Sequence, residues 1–163
     1  MDFLSPADGA LAAVRGGRIL PPETAVPRRD KYHDAVKSAL LKDGWTITHD
    51  PLPLAMGEHK LFVDLGAERL LGAERGNERI AVEIKTFTGP SQVTELEQAV
   101  GQYLVYKTLL RRAEPDRRLV LAVPEQAYNA VISADLGRAV REDYALSLLV
   151  FDVLEEEIRT WLP

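Results

Sequence analysis

The chain has 163 residues, 46% of them hydrophobic and 28% charged, which is typical of one globular domain with its own core. It contains no cysteine, which excludes disulfides, thiolate zinc sites and cysteine nucleophiles. Lys and Arg number 20 against 25 Asp and Glu, and this net charge of −5 argues against coating nucleic acid by charge alone. Because no apolar run reaches about 20 residues and no signal-peptide pattern opens the chain, we expect a cytoplasmic protein that does not enter the membrane.

Residues 1–29 differ from the rest of the chain. They contain four prolines and the pair Gly16-Gly17, and they show no sustained hydrophobic periodicity. We therefore expect residues 1–29 to form a poorly ordered N-terminal extension. A single domain is expected over residues 30–163.

The domain is predicted to open with a helix and a strand. Apolar residues recur at helical spacing after Asp30, which suits an N-cap, and Gly44 suits the position just past the helix end. Residues 45–49 (WTITH) predict a strand. Residues 50–60, with two prolines and a glycine, predict a loop.

Residues 61–87 predict a β-hairpin. Two strand-like runs, residues 61–70 and 80–87, flank a polar break over residues 72–79. Alternation along the second run puts its side chains on two faces, Ile80, Val82 and Ile84 on one and Ala81, Glu83 and Lys85 on the other. With Asp64 in the first run, three ionisable groups fall inside apolar strands. Because such burial is costly, they form either a buried salt bridge or a functional site.

A long helix is predicted after the breaker sequence TGPS, capped by Ser91 or by Thr94. It continues to Arg112 and ends within residues 113–116. Its predicted buried side comprises Val93, Leu96, Ala99, Val100, Tyr103, Tyr106 and Leu110. The basic residues Lys107, Arg111 and Arg112 near its end suit the helix dipole, and contact with a phosphate backbone is the alternative.

Residues 118–161 predict three more strands and one helical region. Residues 118–123 (RLVLAV) are typical of a buried, often parallel strand. An irregular helical region over 125–141 follows, and then two strands at 146–153 and 157–161. The order α-β-β-β-α-β-α-β-β predicts an α/β fold with a central mixed sheet flanked by helices on both faces.

The three ionisable groups of the hairpin resemble the active site of the PD-(D/E)XK nuclease superfamily. That resemblance implies that Asp64 and Glu83 hold Mg²⁺ or Mn²⁺ and that the backbone carbonyl of Ile84 completes the metal shell. It also implies that Lys85 orients or activates the attacking water, and that the fold has a restriction-endonuclease-like core. The chemistry is consistent, because Mg²⁺ prefers carboxylate and water oxygens.

Further residues join this implied site. Gln102 and Tyr106 share a helix face, and their pattern after the Glu-x-Lys strand resembles the extra motif of RecB-type nucleases, which implies substrate-supporting roles. A core helix with a satisfied amide is the alternative for this pair. In such nucleases the first helix often adds a carboxylate, and Asp34 is the candidate here. The three histidines lack metal-ligand spacing and are expected to be hydrogen-bonded.

Five stretches, in order, resemble the XisH family, the fdxN-element excision controlling factor proteins of cyanobacteria. They are DKYHDAVKSALLKDGWTITHDPLPL, LFVDLGAERLLGAE, IAVEIKTFTGPS, GQYLVYKTLL and LAVPEQAY. The resemblance implies programmed excision of a DNA element together with a site-specific recombinase and a small partner of the XisI type. Two hypotheses follow: a metal-dependent DNA endonuclease, which would suit a homodimer, or a non-catalytic accessory factor that binds XisI or the recombinase. A defence nuclease restrained by its small neighbour is a third.

Overall fold

The computed structural model describes residues 28–61 and 70–163, with side chains described over 31–58 and 70–163. The chain divides into two units, Met1–Lys31 and Tyr32–Pro163, and the described sheet lies in the second. Most of the predicted N-terminal extension lies outside the described residues. Among the described helices, none is both long and apolar enough to cross a membrane.

The described residues form both helices and strands, with five strands between the first helix and the second. The helices are α1 (Arg28–Lys42), α2 (Gln92–Ala113), α3 (Glu125–Ala127), a π-helix (Tyr128–Ile132) and α4 (Asp135–Tyr144). The strands are β1 (Thr46–His49), β2 (Leu54–Met56), β3 (His59–Leu61), β4 (Leu70–Arg75), β5 (Glu78–Ile84), β6 (Arg117–Pro124), β7 (Leu148–Asp152) and β8 (Glu157–Leu162).

Six of these strands form one mixed sheet in the order β1-β4-β5-β6-β7-β8. The central strands β5, β6 and β7 are parallel, and the outer pairs are antiparallel. One hydrophobic cluster joins α1 to the face that carries Ile80 and Val82, and a second joins α2 to the face that carries Ala81. The predicted α/β fold with a mixed sheet between helices is confirmed.

The end of α1 follows from its glycine. Gly44 has φ 89°, a conformation that side chains rarely adopt, and its N–H donates to the carbonyl of Leu41 at 3.1 Å. The next N–H, of Trp45, donates to the carbonyl of Leu40 at 3.0 Å. These two bonds form a Schellman motif, so the predicted role of Gly44 is confirmed. The predicted N-cap at Asp30 is wrong, because α1 already includes Arg28.

The strand that pairs with β5 lies later in the chain than predicted. β4 pairs with β5 residue by residue from Leu70 opposite Glu83 to Arg75 opposite Glu78, so the turn is the two residues Gly76-Asn77. Gly76 has φ 59°, as the first central residue of a type II′ turn requires. The predicted break over 72–79 is therefore wrong, since residues 72–75 belong to a strand. Residues 62–69, which include Asp64, lie outside the described residues.

Gly72 explains this error. The sequence predicts a turn at Gly72, yet this glycine lies inside β4. A Cβ at this position would come within 3.0 Å of three side chains. Those side chains belong to His49, Thr48 and Arg117. The glycine therefore provides space for neighbours across the sheet. Another difference is that the predicted loop over 50–60 contains the short hairpin of β2 and β3.

Candidate active site

Glu83 lies in a row of leucines that crosses the sheet. Its neighbours in register are Leu70 on β4 and Leu121 on β6, and Leu148 on β7 lies opposite Leu121. The three leucines belong to the hydrophobic cluster under α2, and Glu83 itself has 0% of its surface exposed. A carboxylate is therefore held where apolar side chains would pack.

The alternation predicted for β5 is confirmed. Ile80, Val82 and Ile84 pack in the cluster on the α1 side, whereas Ala81 packs in the cluster on the α2 side. Glu83 follows Ala81 by two residues and therefore faces α2. Lys85 continues the same face just beyond β5, with 7% of its surface exposed.

Glu83 and Lys85 lie at the carboxyl end of β5. The N–H of Lys85 donates to the carbonyl of Ala122 at 3.0 Å, which extends the pairing with β6 past the last residue of β5. The carboxyl ends of the parallel strands β5, β6 and β7 meet at this edge. Open α/β sheets bind their ligands at such edges, so the position favours a functional site.

The loop from β5 to α2 holds an unusual backbone conformation directly after Lys85. Phe87 is buried and has φ 55°, a left-handed conformation that costs free energy for a bulky residue. The N–H of Gly89 donates to a carboxylate oxygen of Glu95 at 2.5 Å. Ser91 accepts the N–H of Thr94 at 3.2 Å and caps α2, so Ser91 is the cap of the two predicted. These contacts fix the loop that follows the candidate site.

The supporting residues occupy different environments. Tyr106 is buried, with 6% exposure, in the cluster that flanks Glu83, whereas Gln102, one turn earlier on α2, is exposed. Asp34 is exposed on α1, which packs on the opposite face of the sheet. Tyr106 thus belongs to the hydrophobic cluster that contains the leucines beside Glu83, whereas Gln102 and Asp34 are exposed and lie outside that cluster.

The predicted metal site involves one carboxylate that is described and one that is not. Glu83 offers the hard oxygen ligands that Mg²⁺ prefers, and the carbonyl of Ile84 is adjacent along the chain. Among residues 31–58 and 70–163, whose side chains the structure describes, no three His, Asp or Glu side chains form a metal-binding group. Asp64 lies outside that range, so the pair of Asp64 and Glu83 stays a prediction.

A polar cluster that the sequence interpretation missed joins α1 to the residue after β1. His33 Nε2 lies 2.9 Å from Asp50 Oδ1, and Lys37 Nζ lies 2.9 Å from Asp50 Oδ2. His33 is buried, with 5% exposure, as a histidine in a hydrogen-bonded role is expected to be. The four-residue spacing of His33 and Lys37 was the available signal, because it places both on one helix face. The cluster connects the sequence words DKYH and THDP.

A second cluster surrounds Glu114 at the amino end of the central strands. Its Oε1 accepts from Arg79 at 2.8 Å and from Nε of Arg117 at 2.9 Å. Burial alone would raise the pKa of Glu114, but the hydrogen bonds and charges of both arginines outweigh it and hold the pKa below its ordinary value of 4.5. Arg117 is itself buried and also donates to the carbonyl of Ile80 at 3.0 Å.

A family model described as XisH protein matches residues 26–159, which is most of the chain. This chain belongs to the XisH family. The predicted family is thereby confirmed, and the words that carried the prediction now have structural roles. In EIKTFTGPS, Glu83 and Ile84 end the buried strand β5 and Lys85 follows it. Phe87 has a left-handed backbone conformation in the loop, and Ser91 caps α2.

Two solved structures are similar to this XisH-family chain over nearly their whole length. An fdxN element excision controlling factor protein from Anabaena variabilis is 39% identical, with a TM-score of 0.75, covering 82% of this chain and 99% of that one. An XisH family protein from Nostoc punctiforme PCC 73102 is 38% identical, with a TM-score of 0.76, covering 82% and 100%. No curated protein matches the chain.

Proposed function

We propose that this XisH-family chain acts in the programmed excision of a DNA element and that it cleaves phosphodiester bonds with Mg²⁺ or Mn²⁺. The site consists of Asp64, Glu83 and Lys85. The burial of Glu83 within a row of leucines, with Lys85 on the same face, is the observation that carries the proposal. The relative from Anabaena variabilis, described as an excision controlling factor, supports the DNA-excision part.

Burial of these groups is costly for a fold that does not use them. Moving a carboxylate or an ammonium out of water costs several kcal/mol after relaxation, on the order of what a salt bridge returns. A leucine or valine at Glu83 would continue the row formed by Leu70 and Leu121 and would add about 25 cal/mol for each Å² of apolar surface buried. A glutamate at position 83 is therefore better explained by a chemical role than by packing.

Each residue has a distinct part in the proposed reaction. Glu83 and Asp64 supply carboxylate oxygens to the cation, and the carbonyl of Ile84 adds a neutral oxygen. When bound, the cation lowers the pKa of a bound water and offsets the negative charge that develops on the phosphate. Lys85 holds the attacking water, or the phosphate that it attacks, through its ammonium. Tyr106 supports the substrate side of the site from α2.

The first test is a Glu83→Gln variant, because glutamine keeps the shape but not the charge. We expect Mn²⁺ binding, measured by calorimetry with DNA present, to weaken at least about tenfold, since a carboxylate ligand is lost. Cleavage of supercoiled, branched and duplex DNA should fall with it. The matched control is Glu97→Gln on the exposed side of α2, which should behave like the wild type.

Equal metal binding by Glu83→Gln and Glu97→Gln would reject the metal site. A loss of cleavage with unchanged metal binding would instead assign Glu83 to another step. Far-UV circular dichroism and thermal unfolding are measured in parallel, so that a variant that fails to fold is recognised. Asp64→Asn, tested in the same way, separates the two proposed carboxylate ligands.

The second candidate function is a non-catalytic accessory factor that binds a XisI-type partner or a site-specific recombinase. The net charge of −5 favours it, because tight binding of DNA without a partner depends on Lys and Arg contacts to phosphates. On this proposal Glu83→Gln leaves excision in cells intact. The variant should unfold at a lower temperature than the wild type, because on this proposal Glu83 belongs to a buried ion-pair cluster and its neutralisation leaves the ammonium of Lys85 without a countercharge. Reduced excision with partner capture preserved would rule this candidate out.

A further inference from the structure

A cavity of about 300 Å³ lies between the second half of α2 and the start of β6, several residues along the strands from Glu83. It forms because β6 begins at Arg117, whereas its pairing with β7 begins only at Leu121. Apolar side chains, those of Tyr103, Leu110 and Leu119 among them, form most of its wall. A largely apolar pocket of this size, with a few polar groups, is typical of a site for a small organic ligand.

Every charged residue that lines this cavity is cationic, within the part of the chain that the structure describes: Lys107, Arg111, Arg117 and Arg118. Two of the four are already engaged. Arg117 donates to Glu114 and to a backbone carbonyl, and Arg118 donates to Glu78 at 3.1 Å. The available positive charge therefore comes from the two residues on α2.

Lys107 and Arg111 lie four residues apart on α2 and so share a helix face. Neither forms an ion pair with another described residue; Lys107 Nζ instead lies 5.9 Å from the centre of the Tyr103 ring. Ser147, half-buried, adds a hydroxyl to the lining. The helix dipole favours cations in the last turn of α2, which contains Arg111 and Arg112. It does not explain why Lys107 and Arg111 line a cavity while the neighbouring Arg112 does not.

We infer that this cavity binds a phosphate monoester of about mononucleotide size. A monoester carries nearly two negative charges and three acceptor oxygens, which matches two cations and one hydroxyl better than a carboxylate does. Its organic part packs on the apolar wall. The chain as a whole carries a net charge of −5, so a cavity whose charged lining is wholly cationic is selective for anions against the general field of the protein.

Such a phosphate is carried either by a free nucleotide or by the end of a DNA strand. Both sources offer the same terminal monoester to Lys107 and Arg111. An internal DNA phosphate is a diester with one charge and two free oxygens, and it fits the pair less well. The inference is independent of the proposed cleavage site, because it needs neither Glu83 nor a metal ion.

The test is calorimetry with 2′-deoxyadenosine 5′-monophosphate, in the presence of a chelator so that no metal contributes. We expect saturable binding that weakens about tenfold in Lys107→Ala and in Arg111→Ala, the loss of one charge-assisted hydrogen bond each. Arg112→Ala removes the same charge from the next position on α2 and should bind like the wild type. Deoxyadenosine, which lacks the phosphate, should bind at least about tenfold more weakly than the monophosphate.

Two single-stranded oligonucleotides, one with and one without a 5′-phosphate, distinguish the sources. Preferential binding of the phosphorylated strand, lost in Arg111→Ala, identifies a DNA end, and binding of the mononucleotide alone identifies a free nucleotide. The inference is overturned if no phosphate probe binds, if deoxyadenosine binds equally well, or if Arg112→Ala weakens binding as much as Arg111→Ala. Thermal unfolding of each variant confirms that the fold is kept.

Discussion

The hydroxyl of Tyr103 connects three elements in the cluster under α2. It donates to the carbonyl of Leu119 on β6 at 3.3 Å and accepts the N–H of Ser147, just before β7, at 3.0 Å. Tyr103 is 1% exposed, so water does not replace a lost partner. Ser147 is also hydrogen-bonded to β6, because its carbonyl accepts the N–H of Leu121 at 2.8 Å. The Tyr103 hydroxyl thus links α2 both to β6 and to the residue before β7.

We expect Tyr103→Phe to lower the free energy of unfolding by about 1–3 kcal/mol, because it leaves the buried carbonyl of Leu119 without this donor and the N–H of Ser147 without its acceptor. Chemical denaturation measures the change. Tyr144→Phe, at a tyrosine that is 50% exposed, is the matched control and should change stability by less than about 0.5 kcal/mol. Equal stability of both variants would mean that the hydroxyl contacts contribute nothing.

At the same scale, the sequence predicted part of the candidate site well. Alternation along β5 follows from local geometry, so it placed Glu83 and Lys85 on one face correctly. The contact of His33 with Asp50 depends on how α1 packs beside the end of β1, and no local period encodes that packing. The exposure of Gln102 has the same origin. Helical spacing put it on a face with Tyr106, but it could not define where the buried stripe ends.

The close packing of α4 against the π-helix requires a glycine at position 137. A Cβ at Gly137 would lie 2.1 Å from the carbonyl oxygen of Val131 and 2.7 Å from the Cα of Ile132. Both are backbone atoms, so they cannot move aside as the end of a flexible side chain can. Gly137 therefore lets α4 approach the preceding turn closely.

We expect Gly137→Ala to destabilise the protein by about 1–3 kcal/mol through overpacking. Gly101, in the middle of α2, is the matched control, because it is exposed and a Cβ there meets nothing within 4 Å. Gly101→Ala should stabilise the protein by about 0.5–1 kcal/mol. Urea unfolding measures both changes in the free energy of unfolding. Their opposite signs distinguish the effect of close packing at Gly137 from that of helix propensity at Gly101. A stabilising Gly137→Ala would contradict the geometry at this junction.

Among the elements, those with strong local signals were predicted best. The helices ended by Gly44 and capped by Ser91, and the apolar strand β6, needed no tertiary information. The position of the hairpin did need it, because Gly72 reads as a turn residue until its neighbours across the sheet are known. In the same way, Val93 fits the apolar period of α2 but is 54% exposed.

For the whole molecule, stability against acid depends on carboxylates whose pKa the fold lowers. Two lie at opposite ends of the sheet. Glu114 is held by Arg79 and Arg117, and the pKa of Asp152 is lowered by the N–H of Glu155 and by Arg159. Because each pKa is lower in the folded chain than in the unfolded one, the unfolded chain binds more protons in acid. Protonation therefore favours unfolding.

We expect the contribution of Glu114 to the free energy of unfolding to be constant from neutral pH down to the ordinary carboxylate range. It should then fall as the pH drops through 4.5, the ordinary pKa of Glu114, towards its lowered value. Glu114→Gln keeps an oxygen acceptor for Arg117 but removes the charge. The variant should be less stable than the wild type at neutral pH and approach it in acid, where Glu114 is protonated. Glu142→Gln, at an exposed position, should follow the wild-type curve at every pH. Parallel curves for Glu114→Gln and the wild type would show that Glu114 contributes through its shape alone, and the acid sensitivity would then arise from other carboxylates.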